Sequence, residues 1–96
     1  MINYIRIGYI HKVESGCSGR LIARINRRQG TYDVAFDECN KNRRCGCIGT
    51  CYSDYSGQWW NIHEGYTTKD NPGSDACHSW VKKTGYCKEN GILIRC

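Results

Sequence analysis

The chain has one proline, one phenylalanine and one methionine in 96 residues. It has no long apolar run. No stretch would serve as the h-region of a signal peptide or as a helical membrane span. The chain is therefore expected not to span a membrane, and its opening, Met1-Ile2-Asn3-Tyr4, reads as a mature secreted chain with an added initiator Met. Asn-x-Ser/Thr is missing, so no N-glycosylation acceptor is present. The repeated Cys-x₂-Cys knuckles that usually mark structural zinc are missing too. No serine stands in a recognisable nucleophile frame with His11, His63 or His78. Together these absences leave no catalytic motif to pursue.

What the chain does have is cysteine. There are eight, at 17, 39, 45, 47, 51, 77, 87 and 96, and four of them fall within the thirteen residues Cys39–Cys51. An even count at about 8% of a short chain reads as a disulfide scaffold. The length fits one domain, residues 1–96. A chain of this size buries only about 60–65% of its unfolded surface, so its core is marginal. Four bridges worth roughly 2–4 kcal/mol each would supply what the core lacks. All of Cys17, Cys39, Cys45, Cys47, Cys51, Cys77, Cys87 and Cys96 are expected in bridges, which places the chain in an extracellular compartment. Eight cysteines allow on the order of 100 pairings, and the connectivity stays open. Ladder geometry argues only against joining Cys45 to Cys47. Zinc held by Cys39, Cys45, Cys47 and Cys51, or by Cys77, His78, Cys87 and Cys96, is the runner-up. The expectation is no metal and no cofactor. With every thiol in a bridge no cysteine nucleophile remains, and the chain is expected not to be an enzyme.

Net charge is +5. That favours anionic lipid, cell-wall glycan or the acidic surface of a cell-surface protein as partner. Nucleic acid is disfavoured because a secreted disulfide protein seldom meets it. Arg27-Arg28 form one basic cluster, Lys41, Arg43 and Arg44 a second, and Lys82-Lys83 a third. The first two would make an anion-binding patch if the fold joined them. Trp59 and Trp60 are adjacent, so on a strand they face opposite sides. One belongs to the core. The other, beside Tyr52 or Tyr55, is a candidate platform for sugar rings or a membrane interface. The candidate binding residues are Arg27, Arg28, Lys41, Arg43, Arg44, Tyr55, Trp59 and Trp60.

Periodicity predicts strands over 3–13, 20–25, 31–37, 58–63 and 92–96. Ile5, Ile7 and Tyr9 share one face of the first, and Tyr32, Val34 and Phe36 point inward from the third. Asn26–Gly30 fits a hairpin loop between the second and third strands. Ser74 is a plausible N-cap, and Cys77, Trp80, Val81 and Thr84 recur at helical spacing. The expected fold is mainly β, a small α+β domain. It has an antiparallel sheet, barrel or sandwich and one short helix near residues 74–84.

Several stretches resemble three known families. Ser15-Gly16-Cys17-Ser18-Gly19-Arg20, following a strand with Tyr9, resembles the first turn of a βγ-crystallin-type motif. Cys45-Gly46-Cys47, Tyr55-Ser56-Gly57-Gln58 and Ile92-Leu93-Ile94-Arg95-Cys96 follow in the order seen in small antimicrobial members of that superfamily. Those members are the yeast killer toxins and the plant β-barrel antimicrobial peptides. The resemblance implies a defence role and a Cys45–Cys96 bridge. The predicted helix and two surplus cysteines depart from it. Cys47-Ile48-Gly49-Thr50-Cys51 is similar to the Cys-x-Gly-x-Cys half of the cystine-knot growth factors, which implies a threaded ring. A lone Cys96 stands where that family has a second Cys-x-Cys. Val13-Glu14-Ser15-Gly16 resembles the segment around the catalytic acid of some lysozymes, where a general acid needs a cleft and a partner carboxylate.

The expected function is that of a secreted cationic disulfide-rich binding protein. It would be of the defence, antimicrobial or toxin type and would act on an anionic or glycan-rich cell surface. The alternative is a cystine-knot-like signalling ligand, or an inhibitor, with a protein partner.

Overall fold

In chain order the elements of the computed structural model are β1 (Tyr9–Val13), β2 (Ser15–Cys17), β3 (Leu21–Asn26), α1 (Tyr32–Lys41), β4 (Cys45–Cys51), β5 (Trp59–Glu64), β6 (Thr68–Asp70), β7 (Cys77–Lys82), β8 (Tyr86–Glu89) and β9 (Ile92–Arg95). The structure describes residues 6–28, 32–52, 58–83, 86–89 and 92–95. Five strands form an antiparallel sheet in the order β1-β7-β4-β5-β3. Helix α1 packs on one face of it. The two-stranded ribbon β2–β6 packs on the other, over β7 and β4, and leaves β5 and β3 outside its cover. Strands β8 and β9 pair as a separate hairpin, with β8 beside α1. The mainly β class with one short helix is as expected, and the sheet is an open one.

The helix is not where the sequence places it. Residues 32–41 form α1, not a strand. The alternation Tyr32, Val34, Phe36 is coincidental, and Val34 is exposed. The buried residues are Ala35, Phe36 and Cys39, which with half-buried Tyr32 follow the helical period. Asp33 lies in the first turn and Lys41 in the last, as the helix dipole favours. Conversely, residues 77–82 form strand β7 rather than a helix. Its inner face is His78, Trp80 and Lys82, opposite Val13, His11 and Tyr9 of β1. Two of those three inward residues are polar, so the period of two is invisible to a hydropathy reading. The first strand is also shorter than expected. Gly8 takes φ of 85°, Tyr9 N–H donates to Arg6 O at 3.1 Å, and Ile7 is 90% exposed rather than inward.

Trp80 is the centre of the core. It is fully buried, with Phe36 and Tyr32 edge-on at 5.6 Å each and Trp60 at 5.9 Å. Tyr9 meets Phe36 edge-on at 4.7 Å. Each such ring pair adds about 0.5–1.5 kcal/mol beyond the area it buries, which a small core needs. Arg6 sits over Phe36 and Tyr32 at 4.9 and 5.4 Å and pairs with Asp33 at 2.6 Å, closing this layer from outside.

Three bridges are described: Cys17–Cys47, Cys39–Cys45 and Cys51–Cys77. Cys45 is therefore joined to Cys39 of α1, not to Cys96 as the crystallin-like resemblance implies. Pairing of Cys87 and Cys96 lies outside the described residues. Cys45 and Cys47 do go to different partners, and for a specific reason. Residues two apart on a regular strand share a face. A bulge between Cys45 and Cys47 breaks the register against β5. Cys45 then points to the helix and Cys47 to the ribbon, so one Cys-Gly-Cys staples both outer layers to the sheet. The bulge brings Gly46 against the backbone of Gly65, leaving no room for a side chain.

Candidate functional site

The half of the ribbon-side face that the ribbon does not cover is built from alternate residues of β5. Trp60 and Ile62 point into the core, and Trp59, Asn61 and His63 point the other way. All three are half-buried. Asn26 lies opposite Trp59, Arg24 opposite Asn61 and Leu21 opposite His63 on edge strand β3. Four residue steps at about 3.3 Å make this row roughly 13 Å long.

The chemistry of the row is set by its neighbours. His63 Nδ1 lies 2.7 Å from Gly19 O. A carbonyl only accepts, so Nδ1 carries a hydrogen and donates it to Gly19 O, which leaves Nε2 as the ring nitrogen not engaged in that bond. Gly19 cannot carry a side chain, because a Cβ there would run into the carbonyl of Glu64. Asn61 Oδ1 is buried without a hydrogen-bond partner among the described residues. Such an atom costs about 1–3 kcal/mol, the kind of cost that functional surfaces carry.

Edge strand β3 and its flanks are rich in arginine. Arg20, Arg24 and Arg28 are exposed and make no ion pair among the described residues. Arg27 is half-buried, with its guanidinium 4.9 Å from the centre of the Tyr52 ring. Charges on an edge strand also deter pairing with another sheet. That role accounts for the arginines but not for the half-buried tryptophan, amide and imidazole beside them.

The structure separates the two basic clusters that the sequence singled out. Arg27 N–H donates to Gln58 O at the start of β5, whereas Arg44 pairs with Glu64 at its end, at 3.1 Å. The clusters stand roughly 17 Å apart along the strand, beyond the screening length of physiological salt. Lys41 and Arg43 are exposed near the end of α1, with Arg44, and Arg28 is exposed beside Arg27. Trp60 is core, 3% exposed, which rules it out as a platform. Trp59 is the outward member of the pair, and Tyr55 lies outside the described residues. Sequence reasoning missed Arg24, Asn61 and His63. Their alternation with Trp59 along one strand face was the available signal. Glu14 stands exposed at a corner with φ of 48°.

A second polar cluster lies on the helix side. His11 Nε2 and His78 Nδ1 are 2.8 Å apart, their rings stacked within 9° of parallel and leaning on Trp80. One nitrogen must donate and the other accept. Burial lowers the His11 pKa first, and the neighbouring His78 lowers it further. Burial also lowers that of His78, against an opposing backbone hydrogen bond and charge from Asp75. Unfolded histidine takes its proton near pH 6.5. Below that pH the unfolded chain binds more protons than the native one, so stability falls as pH falls. In a urea midpoint series from pH 7 to 4.5, His11→Phe should flatten this acid limb. An unchanged limb would mean that the carboxylates carry it.

Lys82 is also spoken for. It is 5% exposed, and its Nζ donates to Cys39 O at 2.7 Å and Asn42 O at 3.3 Å, capping the end of α1. It is a structural cation, not part of a binding patch. Among the described residues no three His, Cys, Asp or Glu gather as a metal site, and no helix is long and apolar enough to cross a membrane.

The fold and this face define a disulfide-stapled, mainly β protein with an arginine-edged polar and aromatic row. Compared with known proteins, the chain matches no family model, no curated protein and no solved structure.

Proposed function

We propose that this chain is a secreted, cationic binding protein of the defence or toxin type that acts on an anionic or glycan-rich cell surface. The observation that carries the reading is the edge strand β3 with its flanks, where exposed Arg24 on the strand and exposed Arg20 and Arg28 beside it have no ion-pair partner among the described residues. Three bridges among six cysteines support an oxidising, extracellular setting. Arginine left unpaired on a protein of net charge +5 attracts anions over the range of the screening length.

The test is binding to anionic and neutral surfaces across a salt series. Binding to the anionic surface should weaken steadily from about 50 to 300 mM salt, and Arg24→Gln with Arg28→Gln should weaken it further. A salt-tolerant complex with one cell-surface protein would support the other reading, of a signalling ligand or inhibitor. The observation favouring that reading is the opposite sheet edge, β1, where Ile10 and Val13 are exposed, with exposed Ile7 just before it.

A further inference from the structure

The half of the sheet left open by the ribbon has a more specific chemistry than charge alone. Resting on the cationic-surface reading, we infer that the row Trp59–Asn61–His63, with Arg24 and Asn26 across from it, is a subsite for an acidic polysaccharide. Three features point to that ligand. The outward tryptophan offers an aromatic face, which stacks on the C–H face of a sugar ring. Asn26, and the Nε2 of a His63 ring held through Nδ1 by the Gly19 carbonyl, suit neutral hydroxyl groups. Arg24 is exposed opposite Asn61, without an ion-pair partner among the described residues, and suits a single carboxylate or sulfate per step. The row is roughly 13 Å long, which suits an extended chain of rings rather than a compact headgroup. An anionic membrane would use the arginines and would seat the tryptophan at its interface, but it has no use for a row of hydrogen-bonding side chains beside them.

Calorimetry with the disulfide-intact chain tests this, using a soluble polyuronate, a sulfated polysaccharide, a neutral glucan and anionic phospholipid vesicles. One or both acidic polysaccharides should bind, and which one binds identifies the charged group. Arg24→Gln should weaken binding by about ten-fold. Arg28→Gln removes the same charge outside the row and should weaken it less than about three-fold. Trp59→Ala should abolish detectable binding. Trp59→Phe keeps a ring and guards against loss of fold, and should retain part of the affinity. An unchanged urea midpoint qualifies each variant. Equal losses from Arg24→Gln and Arg28→Gln, with Trp59→Phe and Trp59→Ala both neutral, would overturn the subsite and leave diffuse cationic binding standing. Binding to vesicles alone would do the same. Binding to none of the four probes would remove both readings.

Discussion

Gly46→Ala should cost the fold about 3 kcal/mol or more, whereas Gly49→Ala, three residues along the same strand, should cost less than about 1 kcal/mol. A Cβ on Gly46 runs into the carbonyl and carbonyl carbon of Gly65 and crowds the nitrogen of Tyr66, all of them backbone atoms that cannot swing aside. A Cβ on Gly49 meets Cys17 Sγ at 3.5 Å, Cys17 N at 3.6 Å and His78 O at 3.8 Å, all ordinary contact. The first substitution therefore attacks the bulge itself. Without the bulge Cys45 and Cys47 would face the same way, and one of the two outer layers would lose its staple. The total stability of a small domain is about 5–15 kcal/mol, so the loss would be a large part of it. Urea midpoints of the two variants provide the comparison, and a non-reduced peptide map should show mispaired bridges for Gly46→Ala alone. Equal midpoints would mean that the strand yields and the bulge is incidental.

The second large effect is a rise of stability in mild alkali that Lys82→Met abolishes. Burial lowers the Lys82 pKa to about 8, from an ordinary 10.5. Below pH 8 both the native and the unfolded chain hold the proton, and stability is flat in this group. Between about 8 and 10.5 the native chain has released it and the unfolded chain has not. The unfolded state then binds more protons, so stability rises with pH through that window, by at most about 3 kcal/mol. Donation to the carbonyls of Cys39 and Asn42 favours the charged form and trims that rise. Burial also raises the pKa of Tyr9, whose native phenol keeps its proton where an unfolded tyrosine releases it. That effect opposes the rise above about pH 10, so the comparison belongs between pH 7.5 and 9.5. The difference between wild type and Lys82→Met in urea midpoint should grow in favour of wild type across this range. A constant difference would show that Lys82 stays charged in the fold. Methionine fills the same space without a charge, and removal of a buried, incompletely compensated ion is often tolerated.

Much of the candidate site was within reach of sequence reasoning. Adjacent tryptophans on a strand must diverge, and Trp60 and Trp59 do. Arg27, Arg28, Lys41, Arg43 and Arg44 form two basic clusters in the sequence, yet no local signal says that β5 holds the two clusters apart. Arg24 falls in the strand predicted over 20–25, whose hairpin partner is expected over residues 31–37. That segment is helical, and the strand actually opposite β3 is β5, which presents Asn61 to Arg24. The row Trp59–Asn61–His63 appears only once β5 is flanked by β3 and left uncovered by the ribbon.

The amino-acid sequence by itself determined the class: a small, mainly β, disulfide-stapled chain with one short helix and a positive charge. Those follow from composition, cysteine count and the scarcity of apolar runs, which hold whatever the topology. Only the tertiary structure decided which segment is the helix, how Cys17, Cys39, Cys45, Cys47, Cys51 and Cys77 pair and which polar residues are buried. The physical reason is the same in each case. A ten-residue segment such as 32–41 carries both a period of two and a period of 3.6, and packing against Trp80 chooses between them. His78 and Lys82 point inward because His11 and the end of α1 give them partners, and those partners are distant in sequence. Cys45 and Cys47 part because Gly46 can lie against Gly65, a contact that exists only once β4 and β5 have paired.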